Sequence, residues 1–287
     1  MSNYFITNKS IDPINISEED FCNIHTESKT ISRYKQLIIS WLTYHDSVKL
    51  IDEFKQKGAV KLLDEFDLDN FALCNAYVGN ALNAFYMFEQ FCERYFTCFK
   101  DGIKQNIYDN NFEYRFIYNL RTYSTHNELP ILKISYQFDR ANKKYFNPKF
   151  MASKKNFCAT KSLQKKVKDE VGKIISEEDI DVYKYLEKVD EILFFAVIKI
   201  ILNDSSKIID IYNNWYSFDR LKDKSTNLCL WNNSNIEICM TSKLYMTYKH
   251  FDKHLLKQDY CHRYIGTLST QVTEFCNTLK QILHIAE

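Results

Sequence analysis

The chain has 287 residues, and its 38 lysines and arginines nearly balance 37 aspartates and glutamates, for a formal net charge of +1. This balance excludes a histone-like basic protein and an acidic tail protein, and a composition of 45% hydrophobic and 26% charged residues argues against a disordered chain. Only 5 glycines and 3 prolines occur, too few for the tight turns of a β-sandwich, β-barrel or Rossmann sheet, whereas 20 tyrosines and 21 phenylalanines can fill a core. We therefore expect one mainly α-helical domain over residues 1–287.

Hydrophobic periodicity predicts the order of the first elements. Residues 1–27 are expected to form a polar, loosely packed arm, and a first helix is predicted from about Ser28 to Lys57. The next helix is the clearest, because apolar side chains recur every three or four residues from Phe71 to Phe99 and the chain then reaches an Asp-Gly step. A third helix must end before Pro130, which lacks the backbone donor that a helix interior needs. These core helices together occupy residues 28–130.

After Pro130 the pattern changes and then returns to helix. Residues 131–138 alternate like a strand and a second short strand near 146–157 can pair with it, so a small β-hairpin insertion is predicted over 131–160. Further bundle helices are predicted over 161–220. Residues 221–287 form a C-terminal extension, in which the sequence predicts a short hairpin and a last helix but no role.

The cysteines and the apolar runs indicate the cellular compartment in which the protein is expected. Nine cysteines are scattered without any Cys-x-x-Cys pair, and Cys22-x-x-His25 and Cys261-His262 do not make a four-ligand metal site. No secretory signal is visible, and the apolar run Ile192–Leu202 is too short to cross a bilayer, which takes about 20 residues. We expect a reduced, cytoplasmic protein with no metal, no other cofactor and no membrane association.

The near-neutral total hides a strongly basic segment. Between Lys133 and Lys173 there are 12 basic residues and 3 acidic ones, a local net charge of +9. Six aromatic residues are interleaved with them: Tyr136, Phe138, Tyr145, Phe146, Phe150 and Phe157. Basic groups neutralise phosphates and aromatic faces stack bases, so this segment is a candidate nucleic-acid surface. The candidate RNA-binding residues are Lys133, Arg140, Lys143 and Lys144. The alternative is an ordinary solvated face of strand, loop and helix.

Arg121-x4-His126 is the motif that suggests chemistry. Histidine titrates near neutrality, so it can take the proton from a ribose 2′-OH or give one to the leaving oxygen. Arginine stays charged and can stabilise the negative charge that grows on the phosphorane. Positions five apart in a straight helix differ by about 140° around its axis. Arg121 and His126 can therefore meet only if the helix unwinds toward Pro130 or if two chains pair.

The surroundings of this motif, Leu120-Arg121-Thr122-Tyr123-Ser124-Thr125-His126-Asn127-Glu128-Leu129-Pro130, resemble a known signature. The HEPN superfamily (higher eukaryotes and prokaryotes nucleotide-binding) carries Arg-x4–6-His on a helical bundle, and one bacterial HEPN-like group reads Leu-Arg-Asn-Tyr-x-x-His-x-x-Leu-Pro. Asn75, Asn80-Ala81-Leu82 and Glu89 are similar to the long helix upstream in that group. The resemblance covers about residues 70–200, and it departs from the family at Thr122, where Asn or another larger polar residue is usual.

The resemblance implies an HEPN-like helical bundle and a metal-independent endoribonuclease with Arg121 and His126 as the catalytic pair. It also implies a homodimer that pairs two motifs, in a toxin or phage-defence setting with an antitoxin or defence partner protein. Asn80 is expected to orient the pair, Thr122 to support it and Tyr123 to contact base or phosphate. The structural alternatives are a solvated helix face for Asn80, a core contact for Tyr123 and a histidine bonded to helix-terminal carbonyls for His126.

Two other functions stay open. The same bundle can be a non-catalytic module that binds nucleic acid or a nucleotide, with Arg121 and His126 as ligand contacts. It can also be a helical scaffold within a defence or toxin–antitoxin complex. A serine hydrolase, a kinase or a dehydrogenase is disfavoured, because Gly-x-Ser-x-Gly, Gly-x-x-x-x-Gly-Lys and Gly-x-Gly-x-x-Gly are all absent from the sequence.

Overall fold

A computed structural model describes residues 4–8, 11–61, 68–126, 129–141, 144–217, 229–232, 235–239 and 266–282. The described part is mainly helical, which confirms the predicted fold class. The chain divides into two compact units, Met1–Ile38 with Val197–Glu287 and Ile39–Ala196. A single domain over 1–287 stays a prediction. No helix within the described ranges is both long and apolar enough to span a membrane.

The described helices follow in chain order: α1 (Glu18–Lys61), α2 (Leu68–Tyr95), a π-helical turn (Phe99–Ile103), α3 (Lys104–Asn110), α4 (Phe112–His126), α5 (Lys154–Ala159), α6 (Lys165–Ile174), α7 (Val182–Asn203), α8 (Ser205–Ser217) and α9 (Gly266–Ile282). The described strands are β1 (Tyr4–Asn8), β2 (Ile11–Ile16), β3 (Lys133–Asp139), β4 (Lys144–Ser153), β5 (Asp179–Asp181), β6 (Cys229–Asn232) and β7 (Asn235–Cys239). The predicted hairpin after the motif helix is β3–β4, and the one in the C-terminal extension is β6–β7.

The prediction of an irregular arm over residues 1–27 is wrong. Strands β1 and β2 pair with each other, and β1 also pairs with β6, in an antiparallel sheet of order β2-β1-β6-β7. Helix α1 begins at Glu18 because Ser17 caps it: the Asp20 N–H donates to Ser17 Oγ at 3.0 Å, and Ser17 Oγ donates to the Asp20 carboxylate at 2.7 Å. Three acidic residues in the first turn also suit the positive end of the helix dipole.

The second unit contains the motif and is built around α2 and α4, which pack against each other. Most of the apolar stripe of α2 is buried as predicted, although Tyr95 at its end is 37% exposed. Phe85 from this stripe meets Tyr114 of α4 with ring centroids 5.2 Å apart. Helix α2 ends at Tyr95, before the Asp101-Gly102 step near which its end was predicted, and that step lies inside the π-helical turn that leads into α3. Strands β3, β4 and β5 form a small antiparallel sheet beside these helices in sequence order.

A buried carboxylate joins α1 and α7 within the second unit. Asp190 accepts hydrogen bonds from Trp41 Nε1 at 3.0 Å and from His45 Nδ1 at 2.7 Å. The hydrogen bond to Asp190 raises the pKa of His45, partly opposed by burial, while nearby Asp46 raises it and Lys49 lowers it. His45 is therefore stabilised in its protonated form, as an ion pair with a carboxylate that is almost fully buried.

We expect this pair to make stability depend on pH. Because the pKa of His45 is raised in the folded state, its contribution is complete below its unfolded pKa, about 6.5, and disappears as the pH rises through the folded pKa. His45→Gln should lower the free energy of unfolding by about 1–2 kcal/mol at pH 6 and by less at pH 9. Urea unfolding of the wild type and the variant at both pH values measures this difference. A loss of unfolding free energy in His45→Gln that is the same at pH 6 and pH 9 would contradict the ion pair between His45 and Asp190.

Candidate active site around Arg121

Helix α4 carries the whole Arg-x4-His motif without a break. It runs as α-helix from Phe112 to His126, so the backbone does not unwind between Arg121 and His126. The two side chains therefore lie on different faces of the helix, about 140° apart. His126 is exposed at the end of the helix, whereas Arg121 is half-buried. One chain does not bring the two predicted catalytic residues together.

Arg121 is held by an aromatic ring, and no carboxylate within the described ranges pairs with it. Its guanidinium carbon lies 3.7 Å from the ring centroid of Tyr86 on α2. Its Nε is buried without a hydrogen-bond partner, and within the described ranges the only other such side-chain atom is Asp181 Oδ1. A buried donor that makes no hydrogen bond costs about 1–3 kcal/mol, so it calls for an explanation. Arg121, which the sequence motif selects, is thus also unusual in having a buried donor without a hydrogen bond.

Arg115, six residues earlier on the same helix, shows what a structural arginine looks like in this fold. Its Nε donates to Glu170 Oε2 at 2.9 Å and its Nη2 to Glu170 Oε1 at 3.0 Å. Its Nη1 donates to the backbone carbonyls of Tyr108 and of Asp109, the latter at 2.8 Å. Arg115 therefore fastens α4 to α6 and to the end of α3, and it has little capacity left for a ligand.

The three supporting residues lie in different environments. Asn80 is exposed on α2, and the α2 residue that contacts Arg121 is Tyr86, about 120° further around the helix. The Thr122 hydroxyl donates to the Tyr118 carbonyl at 3.3 Å, so it is engaged with its own helix. Tyr123 is 2% exposed and packs on Phe157 with ring centroids 5.9 Å apart. Tyr123 is therefore a core contact, which was the alternative to contact with a base or phosphate, because its side chain faces the interior of the unit.

Asn75 and Glu89, which carry part of the family resemblance, have structural partners. Asn75 Oδ1 accepts the Ile131 N–H at 3.0 Å, which fixes the chain that follows the motif against α2. Glu89 is 1% exposed and accepts a hydrogen bond from the Tyr114 hydroxyl, and Lys104 Nζ lies 3.3 Å from its Oε1. Burial raises the pKa of Glu89. Both residues connect α2 to the segments that flank the motif.

The predicted RNA-binding residues are only partly described. Lys133 forms an ion pair with Asp179 on β5, so its charge is matched within the protein. Arg140 is exposed at the tip of the β3–β4 hairpin. Lys143 and the side chain of Lys144 lie outside the described residues. Of the four candidates, Arg140 is thus the described residue whose position suits contact with a ligand.

The interleaved aromatic residues do not all face solvent. Phe150 and Phe157 are buried, and their rings lie 6.1 Å from Phe54 and 5.3 Å from Phe116. The prediction that these two stack bases is wrong, because packing against other helices takes up both rings. Tyr136 is half-buried, and burial together with nearby Cys74 raises its pKa to about 12. Phe138, Tyr145 and Phe146 have side chains outside the described residues.

A groove of about 1,300 Å³ lies beside the basic helices α5 and α6. Two of its lysines serve the fold: Lys154 donates to the Gly172 carbonyl at 3.3 Å and to that of Ile175, and Lys168 donates to the Thr160 carbonyl at 3.1 Å. The remaining lysines are Lys155, Lys165 and Lys173, and the acidic lining residues are Asp169, Glu177, Glu178 and Asp179. Basic and acidic groups nearly balance there, so the described lining of this groove is not a concentrated anion-binding surface.

No group of three or more His, Cys, Asp or Glu side chains in the described ranges is arranged to hold a metal ion. Comparisons of the chain with protein-family models, with curated proteins and with solved structures found no match.

Proposed function

We propose that the chain is a metal-independent endoribonuclease whose active site combines Arg121 of one copy with His126 of a second copy. The observation that carries the proposal is Arg121 itself, a half-buried cation with an orphaned Nε donor and no described carboxylate partner. A buried polar group without a partner calls for an explanation, and a catalytic role is one of those that proteins use. The toxin or phage-defence setting belongs to this proposal and rests on the family resemblance alone.

The chemistry needs one proton carrier and one fixed cation. His126, exposed at the end of α4, can take the proton from a ribose 2′-OH, which then attacks the adjacent phosphorus. The P–O5′ bond breaks and leaves a 2′,3′-cyclic phosphate on one fragment, while the departing 5′ oxygen takes up a proton from water. The protonated His126 then returns the proton of the 2′-OH to the solvent. Arg121 stabilises the additional negative charge on the phosphorane oxygens. The residues that move protons and charge are therefore both supplied by α4.

Arg121 and His126 can act on one phosphate only if two chains pair, because they lie on different faces of α4. An uncharged face on α2 supports such pairing. From residue 70 to residue 88 the sequence has no charged residue. Several residues in this stretch are nevertheless exposed: Ala72, Leu73, Ala76, Asn80, Asn83 and Met87. Met87 is 65% exposed. An exposed face without charge indicates an interaction surface, and a second copy can cover it without burying an unpaired charge.

The test of this function is cleavage of an end-labelled RNA pool in EDTA by the purified chain. The proposal expects metal-independent products that end in a 2′,3′-cyclic phosphate. RNA that stays intact under these conditions, at protein concentrations where the chain is dimeric, would reject the nuclease.

One observation favours a second candidate, a nucleic-acid-binding module without catalysis. In a single chain Arg121 and His126 do not share a face of α4, so a monomer has a cation for phosphate but no adjacent base. Filter binding of the same RNA pool, together with intact RNA in the cleavage assay, would support this candidate. Absence of both binding and cleavage would leave the scaffold role.

A further inference from the structure

We propose that Tyr86 is the positioning residue of an anion-binding site at Arg121, and that the ligand it prepares Arg121 to receive is a phosphate group. The proposal deepens the proposed function, since an RNA phosphodiester is then the physiological ligand, but its anion-binding part can be tested without any cleavage. Nothing in the sequence pattern of α2 pointed to Tyr86, which lies on the edge of the buried stripe.

The contact between the two side chains determines which donors stay available. The Arg121 guanidinium lies over the Tyr86 ring, with its carbon 3.7 Å from the centroid. A guanidinium that stacks on a ring uses its flat face and keeps its N–H donors, which all point outward in the plane of the group. The ring therefore fixes the orientation of the cation without consuming a single hydrogen bond.

No carboxylate in the described part of the chain neutralises this cation. The described part of the chain gives Arg121 no ion pair. The two glutamates nearest along α2 are engaged elsewhere, since Lys104 Nζ lies 3.3 Å from Glu89 and 2.6 Å from Glu93. Arg115 on the same helix is instead saturated by Glu170 and two carbonyls. Arg121 is thus oriented and still charged, which is what an incoming phosphate requires.

The site lies on two packed helices, so its geometry is set by the core. Tyr86 follows Phe85, whose ring meets Tyr114 at 5.2 Å, and Arg121 follows the buried Leu120. Asn75 fixes the chain directly after the motif through the Ile131 N–H. Positions held by helix packing are more precise than positions on loops. A loss of the Tyr86 ring therefore frees the Arg121 side chain without moving either helix.

The experiment follows the Arg121 Nε–H signal by nitrogen-15 NMR during a titration with inorganic phosphate, and the assignment comes from Arg121→Lys. The variants are Tyr86→Leu, Tyr86→Phe and, as a matched control, Tyr95→Leu, which removes the ring that lies 5.4 Å from Arg94 on the same helix. In the wild type and in Tyr86→Phe, the aromatic ring should shift the Arg121 Nε–H resonance away from the usual position of arginine signals. Its chemical shift should also change as phosphate is added. In Tyr86→Leu it should lie with exposed arginines, and phosphate affinity should fall about 5- to 30-fold.

The readouts separate this inference from the nuclease proposal. An unchanged Arg115 signal in Tyr86→Leu shows that α4 keeps its packing. If the wild-type chain cleaves RNA, Tyr86→Leu should lower kcat by a similar factor, whereas Tyr86→Phe should keep the wild-type kcat. If the wild-type chain does not cleave RNA, the nuclease proposal fails, and the phosphate titration still tests the anion-binding site. Three results would overturn the inference: no phosphate response in the wild type, an unmoved Arg121 signal in Tyr86→Leu, or a Tyr86→Phe variant that behaves like Tyr86→Leu.

Discussion

His126→Ala is expected to lower kcat for RNA cleavage in EDTA by about 10²- to 10⁴-fold, because it removes the group that transfers the proton. The side chain is exposed at the end of α4, so the variant should fold with nearly unchanged stability. Thr125→Ala is the matched control, since Thr125 is an exposed neighbour in the same turn whose described hydrogen bond goes to the Arg121 carbonyl. Initial rates on a labelled RNA, with circular dichroism as the check on folding, measure the effect.

Arg121→Ala should also abolish cleavage, and Arg121→Lys should recover only part of it, because a lysine cannot stack on Tyr86 with its donors in one plane. A His126→Ala variant that cleaves as fast as the wild type would remove His126 from the mechanism. A rate that falls equally in Thr125→Ala would mean that the helix end, and not the imidazole, had been disturbed.

The second large effect is on the free energy of unfolding, which we expect to fall much more when Arg115 is replaced than when Arg121 is replaced. Arg115→Ala should lower the free energy of unfolding by about 3 kcal/mol, because it leaves Glu170 without its partner and two carbonyls without their donor. Arg121→Ala should change it by less than about 1 kcal/mol, since the loss of the stacking contact is offset by relief of the orphaned Nε. Urea unfolding of both variants at one pH measures the contrast.

Equal losses of stability in Arg115→Ala and Arg121→Ala would contradict the distinction between a structural and a functional arginine. Arg115→Lys serves as the control for charge, because it keeps the cation but not the paired contacts to Glu170. We expect it to recover only a minor part of the lost stability.

The helices could be predicted where the periodicity of apolar residues matched one buried face. The apolar stripe from Phe71 to Phe99 predicted that α2 exists, and Pro130 predicted where α4 ends. Both predictions were possible because these signals act over short distances in the chain. The start of α1 was missed although Ser17 and Asp20 form a local cap. Its first turn is acidic and polar, so the hydrophobic pattern alone placed it in the arm.

The candidate site was predicted only in part, because its contacts depend on how helices pack. The sequence proposed Arg121 and His126 from their residue types, their spacing and the family resemblance, and it proposed Asn80 as the neighbour, whereas the structure places Tyr86 against Arg121. Phe157 was expected to face a ligand because it lies among lysines, yet it fills the core next to Phe116. Adjacency along the chain does not reveal which side of a short helix is buried.

The most direct test of the account is complementation between Arg121→Ala and His126→Ala in one dimer. The two variants are co-expressed with different affinity tags, the mixed dimer is isolated by two successive purifications, and its rate on labelled RNA in EDTA is compared with those of the two parent dimers. If each site takes Arg121 from one copy and His126 from the other, the mixed dimer has one intact site of two and should show about half of the wild-type rate. A mixed dimer as inactive as both parents, while wild-type chain cleaves, would contradict a site shared between two copies.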